Sequence, residues 1–113
     1  MTSTIFQKII NRELNAEIVY EDDDCLAFKD VNPQAPVHIL LIPKESIKNI
    51  SNVNLSHQKI LGHLMVKIPE IAKKTSMSDD FRVVINNGSK ACQTIFHLHL
   101  HILGGRKFTW PPG

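Results

Sequence analysis

The apolar positions change period along the chain, and each period predicts an element. Ile5, Phe6, Ile9 and Ile10 recur at helical spacing behind Ser3 and Thr4, which can cap a first turn. A short amphipathic helix is therefore expected from Ser3 to about Arg12. Two apolar runs, Ile18 to Glu21 and Cys25 to Lys29, flank the acidic turn Glu21-Asp22-Asp23-Asp24 and read as an antiparallel hairpin. The breaker-rich stretch Asp30-Val31-Asn32-Pro33-Gln34-Ala35-Pro36 leads into a third strand, His38 to Ile42, stopped at Pro43. From Asn54 to about Lys74, Leu61, Leu64, Met65, Ile68, Ile71 and Ala72 share one helical stripe. Pro69 lacks a donor and clashes with the carbonyl four residues back, which predicts a kink or an early end. Phe81, Val83 and Ile85 alternate as a fourth strand ending at Asn87-Gly88-Ser89, and Phe96 to Leu103 form a fifth before Gly104-Gly105. Two helices and about five strands, the last two adjacent in sequence, give an α+β fold with a mainly antiparallel sheet.

A chain of 113 residues is one domain's worth, so residues 1–113 are read as a single domain. With 42% hydrophobic and 21% charged residues it is globular and can bury a core. The formal net charge of +2 is far from the basic field that sequence-independent nucleic-acid binding needs, so nucleic acid is not expected as a partner. No apolar run approaches the roughly 18 residues that span a bilayer, and Met1 to Ile10 lacks the pattern of a secretory signal; the expectation is a soluble, unprocessed protein. Cys25 and Cys92 make neither a disulfide framework nor a CxxC pair. That suits a reducing compartment, the cytoplasm or alternatively the nucleus. The Asn-x-Ser sequons at Asn49, Asn54 and Asn87 are read as chance matches.

The informative stretch is Phe96-His97-Leu98-His99-Leu100-His101-Ile102, in which histidine and apolar residues alternate with period two. Burying Phe96, Leu98, Leu100 and Ile102 is worth on the order of 6–12 kcal/mol before entropy and fixes the inward face. His97, His99 and His101 then share the other face, their Cα atoms about 6.8 Å apart. They can be the polar side of a half-exposed strand, three zinc ligands, or an acid–base and nucleophilic set acting at phosphorus. In the last case one ring attacks while another stays protonated, because imidazole titrates near neutrality. The preceding loop, Asn86 to Thr94, is small and polar and offers amide, hydroxyl and backbone donors suited to a phosphoryl oxygen.

Together these residues resemble the histidine triad (HIT) family, and within it the Hint branch of purine nucleoside phosphoramidases. The resemblance runs through Thr4-Ile5-Phe6 with Lys8-Ile9-Ile10, Cys25-Leu26-Ala27-Phe28 with Asp30, and Pro33-Gln34-Ala35-Pro36 with His38. It continues through Leu61-Gly62-His63-Leu64-Met65, the Asn86 loop, His97 to Gly105 and the terminal Trp110-Pro111-Pro112-Gly113. It implies a HIT-like fold in a homodimer whose sheets join across the two-fold axis, and cleavage of AMP-linked amines to a nucleoside monophosphate and an amine without a cofactor. By position, His99 would be the nucleophile, the His97 carbonyl would hold its proximal ring nitrogen, His101 would donate to a phosphoryl oxygen, and His38 would join the relay behind them. Asp30 would hold the ribose hydroxyls; Phe6, Ile9, Phe28 and Val31 would line the base pocket. Asn86, Gln93, Thr94 and the backbone at Cys92 would meet the phosphate and leaving group. The same resemblance leaves room for a nucleotide-binding regulatory or scaffold protein. Lys29 and Ser46 stand where Hint proteins often carry further histidines, which alters the outer relay, and Cys92 stands where the family commonly has glycine. His57 and His63 receive no catalytic role.

Overall fold

The computed structural model describes residues 3–77 and 79–113. Strands β1 (Ile18–Glu21) and β2 (Cys25–Lys29) form the expected antiparallel hairpin. Asp22 organises its turn: one carboxylate oxygen accepts from the backbone N–H groups of Asp24 and Cys25, both at 2.8 Å. The other lies 2.7 Å from both the Tyr20 hydroxyl and His63 Nε2, tying the hairpin to the long helix α2 (Gln58–Lys74). Strand β3 (Val37–Pro43) pairs with β2 and with β5 (Leu100–Gly104), and β4 (Phe81–Val84) pairs with β5. All pairings are antiparallel, in the order β1-β2-β3-β5-β4.

Alternation along the strands sends side chains to two covered faces. Cys25, Ala27, Ile39, Leu41, Leu100 and Ile102 meet Leu64, Ile68, Ile71 and Ala72 of α2. Leu26, Phe28, Leu40 and Ile42 meet Phe6 and Ile9 of the first helix, α1 (Ile5–Ile10), which Thr4 caps by accepting from the Gln7 N–H. Among the described residues, no helix is long and apolar enough to cross a membrane.

Five expectations need correction. Strand β5 begins at Leu100, not Phe96, and residues 95–97 bend. Pro43 has no N–H to extend the ladder, and the Leu98 N–H goes instead to the Ile47 carbonyl at 2.6 Å. Phe96 consequently stays 40% exposed instead of joining the core. Helix α2 starts four residues later than expected, after a 3₁₀ turn at Leu55–His57, and does not end at Pro69. Pro69 and Met65 lie on the exposed side of α2, where water can take the Met65 carbonyl. Met65 therefore leaves the buried stripe, 56% exposed beside Val66.

Candidate active site

Four imidazoles gather on the α1 face of the sheet. His38 is held by β3 and His101 by β5, two rungs apart on the same face, while His97 and His99 come from the segment that enters β5. His38, His97 and His99 are buried and His101 half-buried: Phe6 of α1 covers His97 and His99, while Gln34 and Asp30 of the preceding turn stand beside His38. The Phe6 ring stands edge-on to His99 at 4.9 Å and to His97 at 6.2 Å. His99 and His101 follow at 5.0 Å, and His101 and His38 at 5.2 Å.

The hydrogen bonds determine which ring nitrogens carry protons. His97 Nε2 donates to the Pro43 carbonyl at 2.8 Å. His99 Nδ1 donates to the His97 carbonyl at 2.7 Å, so neutral His99 keeps the lone pair on Nε2. His38 Nδ1 accepts from the Gln34 backbone N–H at 3.0 Å, so neutral His38 must be protonated on Nε2. That proton points to His101 Nδ1 at 2.9 Å, which leaves neutral His101 with its N–H on Nε2. One ring thus offers a nucleophilic lone pair and its neighbour a donor, both fixed by backbone groups.

Burial pushes all four pKa values below the ordinary imidazole value. For His97 and His99 the loss of solvation outweighs the opposing backbone carbonyls, and for His38 it outweighs the Asp30 carboxylate. His101 falls to about 4, through burial first and then the like charges of His99 and His38. The lowered values favour neutral rings at neutral pH before an anion binds, and His101 can then donate as a neutral N–H. A phosphoryl anion beside it would raise its pKa again.

Asp30 lies with its carboxylate 3.4 Å from His38 Nε2 and accepts from the Asn32 N–H at 2.8 Å, so it forms the turn and faces the relay at once. Phe6, Ile9 and Phe28 pack in one buried apolar cluster, and Val31 is fully exposed outside it. Gln93, expected at the phosphate, is instead buried, its amide nitrogen donating to the carbonyls of Lys48 at 3.0 Å and Ile95 at 3.1 Å. Its amide oxygen accepts from the Gly88 N–H at 2.9 Å, so this side chain staples the loop. The Cys92 N–H is likewise taken by the Ser89 carbonyl, and Cys92 sits at φ 72°, a left-handed conformation that favours glycine. Asn86 is half-buried at the loop's start. Thr94 lines a cleft of about 570 Å³ with Ile5, Ser46, Lys48, Ile95 and Phe96.

Sequence reasoning missed the groups that fix the rings: the carbonyl of Pro43, the N–H of Gln34, and buried Asn49, which donates to Gln93. Backbone donors and acceptors leave no trace in residue type, and Asn49 had stood out only as a sequon. The zinc alternative fares differently from its expectation. His97 Nε2 is committed to Pro43, and the ligating atoms that converge here, all within 4.8 Å, belong to Asp30, His38 and His101.

A model of the HIT domain matches residues 11–108. The chain is 62% identical over 110 residues to an uncharacterised HIT-like protein of Synechocystis, covering 97% of this chain and 96% of that one. It is 46% identical over 112 residues to the adenylylsulfatase HINT1 of Arabidopsis thaliana, covering 97% and 76% of the two chains. The crystal structure of a HIT family hydrolase from Legionella pneumophila superposes with a TM-score of 0.94 at 41% identity, over 98% of this chain and all of the other.

Proposed function

The chain belongs to the HIT domain family, and from that premise we propose that it is a nucleotide hydrolase cleaving the P–N bond of purine nucleoside 5′-phosphoramidates, AMP-linked amines above all. The single observation that carries this reading is the opposite polarity of two adjacent neutral rings: a lone pair on His99 Nε2 beside an N–H on His101 Nε2.

His99 Nε2 attacks phosphorus, and the P–N bond breaks with its electron pair moving to the amine, which takes a proton from the medium. The His97 carbonyl holds Nδ1–H as the ring gains positive charge, and His101 donates to a phosphoryl oxygen. Water then attacks phosphorus, loses a proton, and breaks the P–Nε2 bond to give the nucleoside monophosphate. Asp30 takes the ribose hydroxyls beside the apolar cluster of Phe6, Ile9 and Phe28, and the cleft at Thr94 receives the leaving group. The Arabidopsis relative's adenylylsulfatase name favours a second leaving group, sulfate, expelled from the same phosphorus by the same attack.

Two further elements belong to this reading. The protein is a homodimer: β4 is an edge strand able to continue the sheet, and Met65 and Val66 leave an apolar strip on α2. It works in the cytoplasm, which its two free cysteines suit.

Incubating the purified protein with an AMP-linked amine and with adenylyl sulfate tests this. Turnover, with intact protein gaining the mass of one nucleotidyl group, is expected. His99→Ala should lose the adduct and roughly three orders of magnitude or more of rate. AMP binding without turnover of either compound would overturn the hydrolase reading in favour of a regulatory nucleotide-binding protein. Loss on chelation restored by zinc would replace it with the metal-site alternative.

A further inference from the structure

Beyond the relay, the end of β5 closes on the turn that feeds it. Arg106 sends Nε and Nη2 to the carbonyl oxygen of Gln34, both at 3.3 Å, and Nη1 to the Lys107 carbonyl at 3.1 Å. Its guanidinium lies over the Phe108 ring, 4.2 Å from the centroid, and Arg82 also stacks on that ring at 4.9 Å while holding the Thr109 carbonyl. Gly105, at φ 91°, allows the approach, because a Cβ there would stand 2.9 Å from Cβ of Pro36. Two consecutive residues therefore press on the stretch from Pro33 to Pro36.

This is the turn whose Gln34 N–H faces His38 Nδ1. It has few soft dihedrals: Pro33 has a fixed φ, Ala35 is restricted by the proline after it, and the Gln34 side chain donates to the Asn32 carbonyl at 3.0 Å. The Gln34 carbonyl and N–H belong to neighbouring peptide units joined by its φ and ψ, and with the turn restrained on either side a clamp on the carbonyl limits how far the N–H can swing. We propose that Arg106 is a positioning residue for the histidine relay: by clamping Gln34 it keeps a donor on His38 Nδ1 and so fixes the protonation sense of His38 and His101.

A donor facing Nδ1 forbids both the other tautomer and the imidazolium of His38. Without it, His38 can carry its proton on Nδ1, Nε2 becomes an acceptor, and His101 must reverse and lose its N–H toward the substrate. His38 can also take up a second proton, from solvent, at a higher pH than now. Facing the ring from other elements are Asp30 of the turn and His101 of β5, with His99 behind His101; none of them supplies a donor to Nδ1.

Histidine-labelled protein read by long-range ¹H–¹⁵N spectra across about pH 5 to 8, the range in which ordinary imidazoles titrate, tests this. The wild type should show an unprotonated His38 Nδ1 at neutral pH and down to a lower pH than the Arg106→Ala variant. Arg106→Ala should populate the opposite tautomer and titrate at higher pH, and Arg106→Lys, which keeps one donor, should fall between. Arg82→Ala, which loses the Phe108 stack and the Thr109 bond but not Gln34, should match the wild type. Identical His38 nitrogens in Arg106→Ala and wild type, or an equal change in Arg82→Ala, would overturn the proposal. The kinetic arm rests on the hydrolase reading: kcat of Arg106→Ala should fall on the order of five- to tenfold, the size of one net hydrogen bond, with KM little changed. Because the spectra need no turnover, failure of that reading and failure of the clamp are distinguishable.

Discussion

Phe6 and His99, one from the first helix and one from the segment entering the last strand, meet edge to face with centroids 4.9 Å apart and planes 80° apart. The contact makes α1 part of the site: the same aromatic ring that anchors this six-residue helix also walls the proposed nucleophile. So short a helix is not stable by itself, and its place depends on Phe6 and Ile9 being buried.

Phe6→Ala should therefore cost about 3–5 kcal/mol of stability, the usual price of truncating a buried Phe. Urea unfolding followed by far-ultraviolet circular dichroism measures it. A loss below about 1 kcal/mol would mean that α1 is not held by this ring.

Stability should rise with pH between about 4 and the ordinary imidazole value of 6.5. All four relay histidines have lowered pKa values, so below 6.5 the unfolded chain binds protons that the folded one refuses, and folding weakens as pH falls. For His101 the window closes near 4, where the folded ring also protonates. The Asp22 carboxyl, held down by the Tyr20 hydroxyl and His63 against its burial, continues the same trend at lower pH. Urea midpoints at pH 7, 6 and 5 should fall in that order, and His101→Asn should flatten the series.

Cys92→Gly should stabilise the protein by about 0.5–1 kcal/mol, since it relieves a side chain held at φ 72°. The same exposed thiol should be alkylated far faster than Cys25, which is buried and pushed up to about 12 by burial and the Asp22 charge. Thiol labelling read by mass spectrometry checks both residues. AMP should slow the reaction at Cys92, and equal labelling of the two would count against a phosphate site in this loop.

Deleting Trp110 to Gly113 should leave the proposed dimer intact and change its preference among leaving amines. Trp110 is 82% exposed on the single chain, an aromatic surface that a partner near the cleft can cover. Sedimentation and a comparison of amine substrates test the two parts. A monomer at micromolar concentration would overturn the dimer, and an unchanged preference would overturn the role of the tail.

Local pattern alone determined much of this protein. The bounds of β1 and β2 are those the apolar runs predict, and the period-two run does place Leu100 and Ile102 toward α2 with His99 and His101 on the other side. That information is legible because it depends only on neighbours in the chain. Tertiary structure decided what the histidine face meets. A polar face beside an apolar one reads as exposed, yet Phe6 of α1 covers His97 and His99, the Asp30–Pro36 turn flanks His38, and burial lowers the pKa of all four rings. The strand starts late because the missing N–H of Pro43 matters only once β3 lies beside it, and Gln93 turns inward because the Lys48 and Ile95 carbonyls are there to receive it. The proton positions on His38, His99 and His101 come from the Gln34 N–H and the His97 carbonyl. Every residue but proline carries the same backbone N–H, so only the folded chain determines which ones face a ring.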